Sequence, residues 1–294
     1  MRRRRPPGAL VPVAKRELPG HIAAALAGAG GPTDSAGVPW EGRSLEGEGN
    51  PLHQFDKDNG QADAGYAAAV QALLAGTGTE AGVVESLAAA RVYVAIVATL
   101  GEEATSDHGL TADKEADLAL VTLTAPDGRK ALPVFSSVDA LAHWHPEARP
   151  VAVYAPRAAL SAVSEEAQLL VIDPGSDVTF VVRRPAMWAL AQQREWVPSY
   201  EDGGLAGIVA EAAGQESAVR QVRLAAGGGV ASRTAGGTLV SGGGAGPELR
   251  IILQLAPGLD AAGVQSLAAA FQQRLAGHPE FVERVDSLEL KITR

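Results

Sequence analysis

The chain has 294 residues, of which 46% are hydrophobic and only 4% aromatic, and its formal net charge is −9. This length predicts two domains, each with its own core, and the negative charge argues against broad nucleic-acid binding because it repels phosphate backbones. There is no cysteine, which excludes disulfides, thiolate metal sites and cysteine nucleophiles and favours the cytoplasm.

The first 16 residues are basic, with four consecutive arginines from Arg2 to Arg5. The apolar stretch at residues 9–14 is too short for a signal peptide and is followed by charged residues. We expect a disordered basic tail, with binding to RNA or an anionic membrane as the alternative. No apolar run along the chain has the length of a transmembrane helix.

Residues 17–200 alternate between helical and strand patterns. Asp63 and a stripe of apolar residues predict a helix over residues 62–75, and RVYVAIVATL at 91–100 predicts a buried strand. Pro126, Asp127 and Gly128 predict a hairpin turn between two apolar runs. The further predicted helices are 81–90, 158–167 and 186–193, and the further strands are 116–125, 130–137, 151–154, 168–172 and 177–182. Together they predict an α+β domain around a mixed β-sheet with flanking helices.

Residues 201–294 predict a small second domain of two layers. LRIILQL at 249–255 and SLELKIT at 287–293 alternate apolar with polar residues, and apolar residues at helical spacing lie between them. A strand, a crossover helix and a strand place the two strands parallel if they are adjacent. The Gly-rich stretch at 225–247 lacks the Gly-Lys-Ser/Thr ending of a phosphate-binding loop, so we expect a flexible insertion.

The stretch FSSVDALAHWHPEARP at 135–150 contains the residue types of a catalytic cluster. Ser136 and Asp139 have the spacing of a helix N-terminal cap, and Pro146 ends the predicted helix near His145. On a helix, His143 and His145 project about 200° apart, which argues against a shared metal. A Ser-His-Asp triad lacks the G-x-S-x-G elbow that would support it.

The sequence therefore predicts no catalytic residue, no metal site and no cofactor. DKDNG at 56–60 is similar to a calcium loop, but its glycine comes one place too early for the EF-hand pattern. An Asx-rich turn that caps the next helix is the preferred interpretation.

Seven ordered segments together resemble the actinobacterial branch of the SseB family: PWEGR (39–43), FDKDNGQAD (55–63), RVYVAIVA (91–98), DKEADLALV (113–121), DGRKALPVFSS (127–137), WHPEARPV (144–151) and VIDPG (171–175). The resemblance covers most of residues 17–200 and extends more loosely to the C-terminal region. The family takes its name from a serine-sensitivity phenotype. The resemblance implies a cytoplasmic two-domain protein of undefined biochemical role, and it transfers no catalytic residue.

The leading functional hypothesis is a non-enzymatic protein-interaction or regulatory module, with an unidentified protein partner and homo-oligomerisation as a further possibility. Arginine and tryptophan are frequent interface anchors. The candidate interaction residues are Trp40, Arg43, Lys114, Trp144 and Arg149. The alternative is a small-molecule-binding protein or hydrolase that uses the region of His143 and His145.

Overall fold

The structure is a computed structural model that describes residues 55, 58–100, 116–125, 127–244 and 246–294. The predicted basic tail and three candidate interaction residues, Trp40, Arg43 and Lys114, lie outside these ranges. The described helices are α1 (Ala64–Leu74), α2 (Glu80–Leu87), α3 (Val138–Trp144), α4 (Ala155–Ser164), α5 (Arg184–Ala191), α6 (Gly203–Gly214), α7 (Ala261–Ala276) and α8 (Pro279–Arg284). In this part of the chain no helix is both long and apolar enough to cross a membrane.

The described strands form three sheets. They are β1 (Arg91–Leu100), β2 (Ala116–Leu120), β3 (Leu123–Thr124), β4 (Lys130–Phe135), β5 (Arg149–Tyr154), β6 (Leu169–Ile172), β7 (Phe180–Arg183), β8 (Val219–Ala226), β9 (Ala231–Arg233), β10 (Leu239–Ser241), β11 (Leu249–Leu255) and β12 (Leu288–Thr293). The largest sheet has the order β2-β1-β4-β6-β7, with β3 paired to β4 and β5 paired to β1. Because β4 and β6 are parallel and the other pairs are antiparallel, the predicted mixed sheet and α+β class are confirmed.

The two faces of this sheet carry cores of different size. One face packs against α1, α2, α4 and α5 through small aliphatic side chains, as the alanine-rich composition requires. The other face carries a smaller cluster in which Tyr93 and Phe135 meet Leu141 of α3. Only one short helix of the described chain covers this side of β1 and β5, which leaves room for a surface groove beside it.

The cap of α3 differs by one residue from its prediction. Ser137, not Ser136, is the N-cap, and its hydroxyl accepts from the backbone N–H of Ala140 at 3.1 Å. Ser136 directly follows β4, and its backbone N–H donates to Asp173 at 2.7 Å. The helix ends at Trp144, and His145 has extended backbone, which confirms that Pro146 stops the helix.

The C-terminal sheet has the order β12-β11-β8. Strands β11 and β12 are parallel and are connected through α7 and α8, as their alternating patterns predict. Leu249, Ile251 and Leu253 of β11 are buried against α6, α7 and α8 in a separate core. The predicted domain boundary at residue 200 stays a prediction.

The Gly-rich segment is more structured than its composition predicts. Instead of a flexible insertion it contains the antiparallel pair of β9 and β10, and Val240 is buried within the core of the first sheet. The carbonyl of Gly243 accepts from the N–H of Val181 in β7 at 2.9 Å. Contacts with the first sheet therefore fix a segment that has weak local preferences.

A buried polar network joins the two larger sheets. Arg183 is 1% exposed and donates to the carbonyl oxygens of Gly229, Gly244 and Gly246 at 2.7–2.8 Å. It also lies 3.2 Å from Asp286, which pairs with Arg129 at 2.8 Å. Arg183 thus links β7 to the Gly-rich segment and to Asp286, which lies just before β12.

Candidate functional site

A surface groove of about 470 Å³ lies beside α3 on the less covered face of the first sheet. It is bordered by three parts of the chain: the segment before α1, the start of α3, and strands β1 and β5. The residues that line it are Phe55, Asp58, Asn59, Gly60, Gln61, Tyr93, Val138, Asp139, Pro150 and Ala152. The groove therefore combines an apolar floor with polar groups along one wall.

The polar wall is a turn built by side chains of the DKDNG motif. Asp58 Oδ1 accepts from the N–H of Gly60 at 2.7 Å, and Asn59 Oδ1 accepts from the N–H of Gln61 at 3.0 Å. Gly60 has a φ of +76°, and a Cβ there would lie 3.3 Å from Val138. These contacts confirm the predicted Asx-rich turn and explain why glycine occupies its tip. The turn does not cap the next helix as predicted, because Asp63 is the N-cap of α1.

Arg91, the first residue of β1, fastens this turn to the sheet. Its Nε donates to Asp58 Oδ2 at 2.5 Å, Nη1 donates to the carbonyl of Ser136 at 2.8 Å, and Nη2 donates to the carbonyl of Gln61. The guanidinium also lies 4.3 Å from the centre of the Tyr93 ring. Such a fork needs arginine, because lysine cannot donate in three fixed directions.

Asp58 and Tyr93 share a hydrogen bond of 2.5 Å. Burial alone would raise the pKa of Asp58, but hydrogen bonds from Tyr93, Gly60 and Arg91 outweigh it and lower that pKa below the usual value. Burial and the hydrogen bond to Asp58 raise the pKa of Tyr93 to about 12. At neutral pH the carboxylate is therefore ionised and the phenol keeps its proton.

The opposite wall comes from the start of α3. The N–H of Val138 donates to the carbonyl of Gly60 at 2.9 Å, so the helix and the turn contact each other directly. Asp139, the second residue of α3, is exposed at the rim. The helix is fixed to the sheet by Ser136, whose N–H donates to Asp173. Both walls are thus tied to the sheet through hydrogen bonds.

Two of the predicted interaction residues lie on elements that border this groove. Trp144 is half-buried, with its ring 5.2 Å from that of Phe135, so much of the side chain supports α3. Arg149 is exposed on β5, but it is the strand neighbour of Pro150 and therefore points to the face of the sheet opposite the groove. Trp40, Arg43 and Lys114 lie outside the described residues.

The two histidines do not form a joint site. His143 is exposed on α3, while His145 is half-buried with an Nδ1 that has no hydrogen-bond partner among the described residues. Neither borders the groove. Within the described ranges no group of three or more His, Asp or Glu residues is arranged to hold a metal ion.

Sequence reasoning missed Arg91 and Tyr93. The available signal was an arginine and a tyrosine at the start of an otherwise aliphatic buried strand, since a buried charge needs a partner. The partner, Asp58, is 33 residues away, and local patterns do not reveal a pairing at that distance.

Comparison with known protein families gives a match within the first sheet and its helices. The SseB protein N-terminal domain matches residues 67–189, which include β1, α3 and β5 of the groove but not the Asp58 turn. No curated protein matches the chain, and the resemblance of the C-terminal region to the family stays a prediction. Residues 67–189 are thus an SseB N-terminal domain, as the resemblance of the sequence predicts.

Proposed function

We propose that the chain is a non-enzymatic protein-interaction module of the cytoplasm that binds a segment of a partner protein in the groove beside α3. One observation carries this proposal: the polar side chains at the Asp58 turn already satisfy each other's hydrogen bonds. Asp58 accepts from Tyr93, Gly60 and Arg91. A carboxylate with these partners and a lowered pKa is a poor general base, so binding is better supported than catalysis.

The lining indicates the chemistry of the partner segment. Tyr93, Val138, Pro150 and Ala152 offer apolar area for one aliphatic or aromatic side chain. The amides of Asn59 and Gln61, which also line the groove, suit the backbone of an extended peptide. Asp139 at the rim favours a basic residue next to the anchored side chain.

Of the interaction residues predicted from the sequence, Trp144 lies on the helix that forms the wall of the groove. Arg149 is exposed on β5 but points to the opposite face of the sheet. We include Trp40, Arg43, Lys114 and Arg149 in the proposal on their residue types alone.

The alternative, a small-molecule-binding protein or hydrolase at His143 and His145, has less support. His143 is exposed, and neither imidazole borders the groove. A catalytic histidine requires a substrate cavity within hydrogen-bond reach, so the interaction function is the stronger candidate.

The test combines site-specific photo-crosslinking with co-purification from cytosol. A photoreactive benzoylphenylalanine replaces Asp139 in one version of the full chain and Glu280 in the control version. Both acidic residues are exposed and occupy the second position of a short helix, α3 and α8 respectively, so the two labels are matched.

We expect a protein to crosslink at position 139 and not at 280, and its recovery to fall at least fivefold with Asp139→Lys but not with Glu280→Lys. Equal recovery by both Lys variants, or the same crosslinked proteins at both positions, would contradict the proposal.

A further inference from the structure

The C-terminal sheet has one face that is not packed against described helices. Leu249, Ile251 and Leu253 of β11 point into the helix-covered core, so Arg250, Ile252 and Gln254 point to the other side. Strand pairing places Arg223 of β8 and Lys291 of β12 on either side of Ile252. Arg223, Gln254 and Lys291 are exposed, so this face is a surface of the described structure.

The charges on this open face are mainly positive. Arg223 and Lys291 form no ion pair with a described residue, whereas Arg250 pairs with Glu289 at 2.5 Å. Glu289 also accepts from the N–H of Gly228 at 2.9 Å, so its charge is engaged within the protein. Among the described residues, the face therefore presents two unpaired cations around an aliphatic centre, although the whole chain has a net charge of −9.

The distance across Arg223, Ile252 and Lys291, which lie side by side on three neighbouring strands, matches the width of an α-helix. Neighbouring strands lie about 4.8 Å apart, so Arg223 and Lys291, two strands apart, are separated by about 10 Å. An α-helix with its side chains is about 10–12 Å wide. A helix placed over Ile252 thus brings its two flanks above the two cations.

We propose that the open face of the C-terminal sheet is a second interaction surface, which binds an amphipathic helix of a partner protein with an aliphatic stripe flanked by Asp or Glu. The aliphatic stripe packs on Ile252, and the carboxylates pair with Arg223 and Lys291. This surface is independent of the groove beside α3 and is formed by different strands.

A nucleic acid fits this face less well. Nucleic-acid binding relies on neutralising many phosphates, and only two cations of the described face are unpaired. Single strands additionally stack their bases on aromatic rings, but the centre of the row is Ile252. The negative charge of the whole chain also opposes a long polyanion more than a short acidic helix.

The test uses a designed fluorescent helical peptide, with a Leu stripe flanked on both sides by Glu, titrated against the full chain in a fluorescence-anisotropy experiment. Its counterpart has Lys in place of each Glu. The variant Arg223→Glu/Lys291→Glu reverses the two cations. The control variant Arg157→Glu/Arg194→Glu makes the same change in net charge at two exposed arginines elsewhere.

We expect the Glu peptide to bind the native chain in a salt-dependent way and to bind the Arg223→Glu/Lys291→Glu variant at least tenfold more weakly. The control variant keeps its affinity within twofold. The Lys peptide binds the reversed variant more tightly than it binds the native chain, and this gain shows that the variant is folded.

Three results would overturn the proposal. One is no binding of the Glu peptide to the native chain, and another is equal loss of affinity in the two double variants. The third is tighter binding of a single-stranded oligonucleotide than of the Glu peptide, which would assign the face to nucleic acid.

Discussion

Glu80 is a buried carboxyl group at the first position of α2. It accepts from the N–H of Gly243 at 3.0 Å and from the hydroxyl of Tyr200 at 3.2 Å. Burial raises its pKa above the ordinary value of 4.5, and the two hydrogen bonds and Arg183 offset only part of that effect. Glu248 and Asp173 are buried carboxyl groups whose pKa is raised for the same reason.

The raised pKa of Glu80 makes stability depend on pH. Between pH 4.5 and its folded pKa the folded state holds more protons than the unfolded state, so the free energy of unfolding falls as the pH rises. Glu80→Gln removes this contribution. We expect the variant to gain stability relative to the native chain as the pH rises from about 4.5 to the folded pKa of Glu80, as measured by urea unfolding at each pH.

Glu85→Gln is the control, because Glu85 is exposed on the same helix. It reports what the loss of a surface carboxylate does to stability. If the difference between Glu80→Gln and the native chain were constant over this range, or fell with rising pH, Glu80 would not be protonated on folding.

At the scale of the elements, tertiary contacts determine the structure of the Gly-rich segment, whose residues have weak secondary-structure propensities. Gly243 has a φ of +60°, and a Cβ there would lie 2.6 Å from the ring of Phe180. Gly237, in the same segment, has a φ of +85°, but a Cβ at that position would meet no described atom within 4 Å. An alanine at Gly237 is therefore affected by backbone strain alone, whereas an alanine at Gly243 is affected by both backbone strain and a clash with Phe180.

We expect Gly243→Ala to lower the free energy of unfolding by about 2–4 kcal/mol, because the methyl group displaces Phe180 and the backbone is strained. Gly237→Ala meets only the strain, about 1 kcal/mol. Urea denaturation of both variants measures the difference. Equal losses of unfolding free energy in the two variants would show that the Phe180 ring moves aside without destabilising the fold.

Elements with a clear period were predictable, whereas those with weak local preferences were not. Strands β11 and β12 alternate over six or seven residues, so their residue ranges followed from the sequence. Their parallel direction followed only on the condition that they are adjacent, which the structure shows. Helix α6 was missed because glycine occupies four of its positions and disfavours helix. The sequence signal for the start of this helix was Asp202, whose side chain caps the helix by accepting hydrogen bonds from the N–H groups of Gly204 and Leu205.

The candidate site was predictable only where it is local. The Asx turn at Asp58 followed from residue types within the DKDNG motif, but its attachment to Arg91 is a tertiary contact. The same holds for Val240, whose burial depends on the first sheet. Composition therefore assigned the Gly-rich segment to a flexible insertion, although tertiary contacts determine its structure.

At the scale of the whole molecule, Arg183 couples the two larger sheets. Its guanidinium donates hydrogen bonds to three carbonyl groups of the Gly-rich segment and lies close to Asp286, which precedes β12. Removal of a buried charged partner leaves these groups unpaired, which costs on the order of 3 kcal/mol. The loss acts on the junction of the sheets and leaves both hydrophobic cores intact.

We expect the native chain to unfold in one calorimetric transition and Arg183→Met to unfold in two, with the C-terminal sheet and the first sheet melting separately. Arg157→Met, at an exposed position of α4, is the control and keeps one transition. A single transition for Arg183→Met, shifted to lower temperature, would show that other contacts maintain the coupling.

Strand β1 pairs with β2, β4 and β5, all of which follow it in the chain. During synthesis this apolar strand is made before any of its neighbours, and β5 ends only at Tyr154. At about 5–20 residues per second, the roughly 54 residues from Leu100 to Tyr154 take roughly 3–11 seconds. For that time RVYVAIVATL lacks its full set of native partner strands, and we expect it to bind chaperones on the nascent chain and to be prone to aggregate if they are absent.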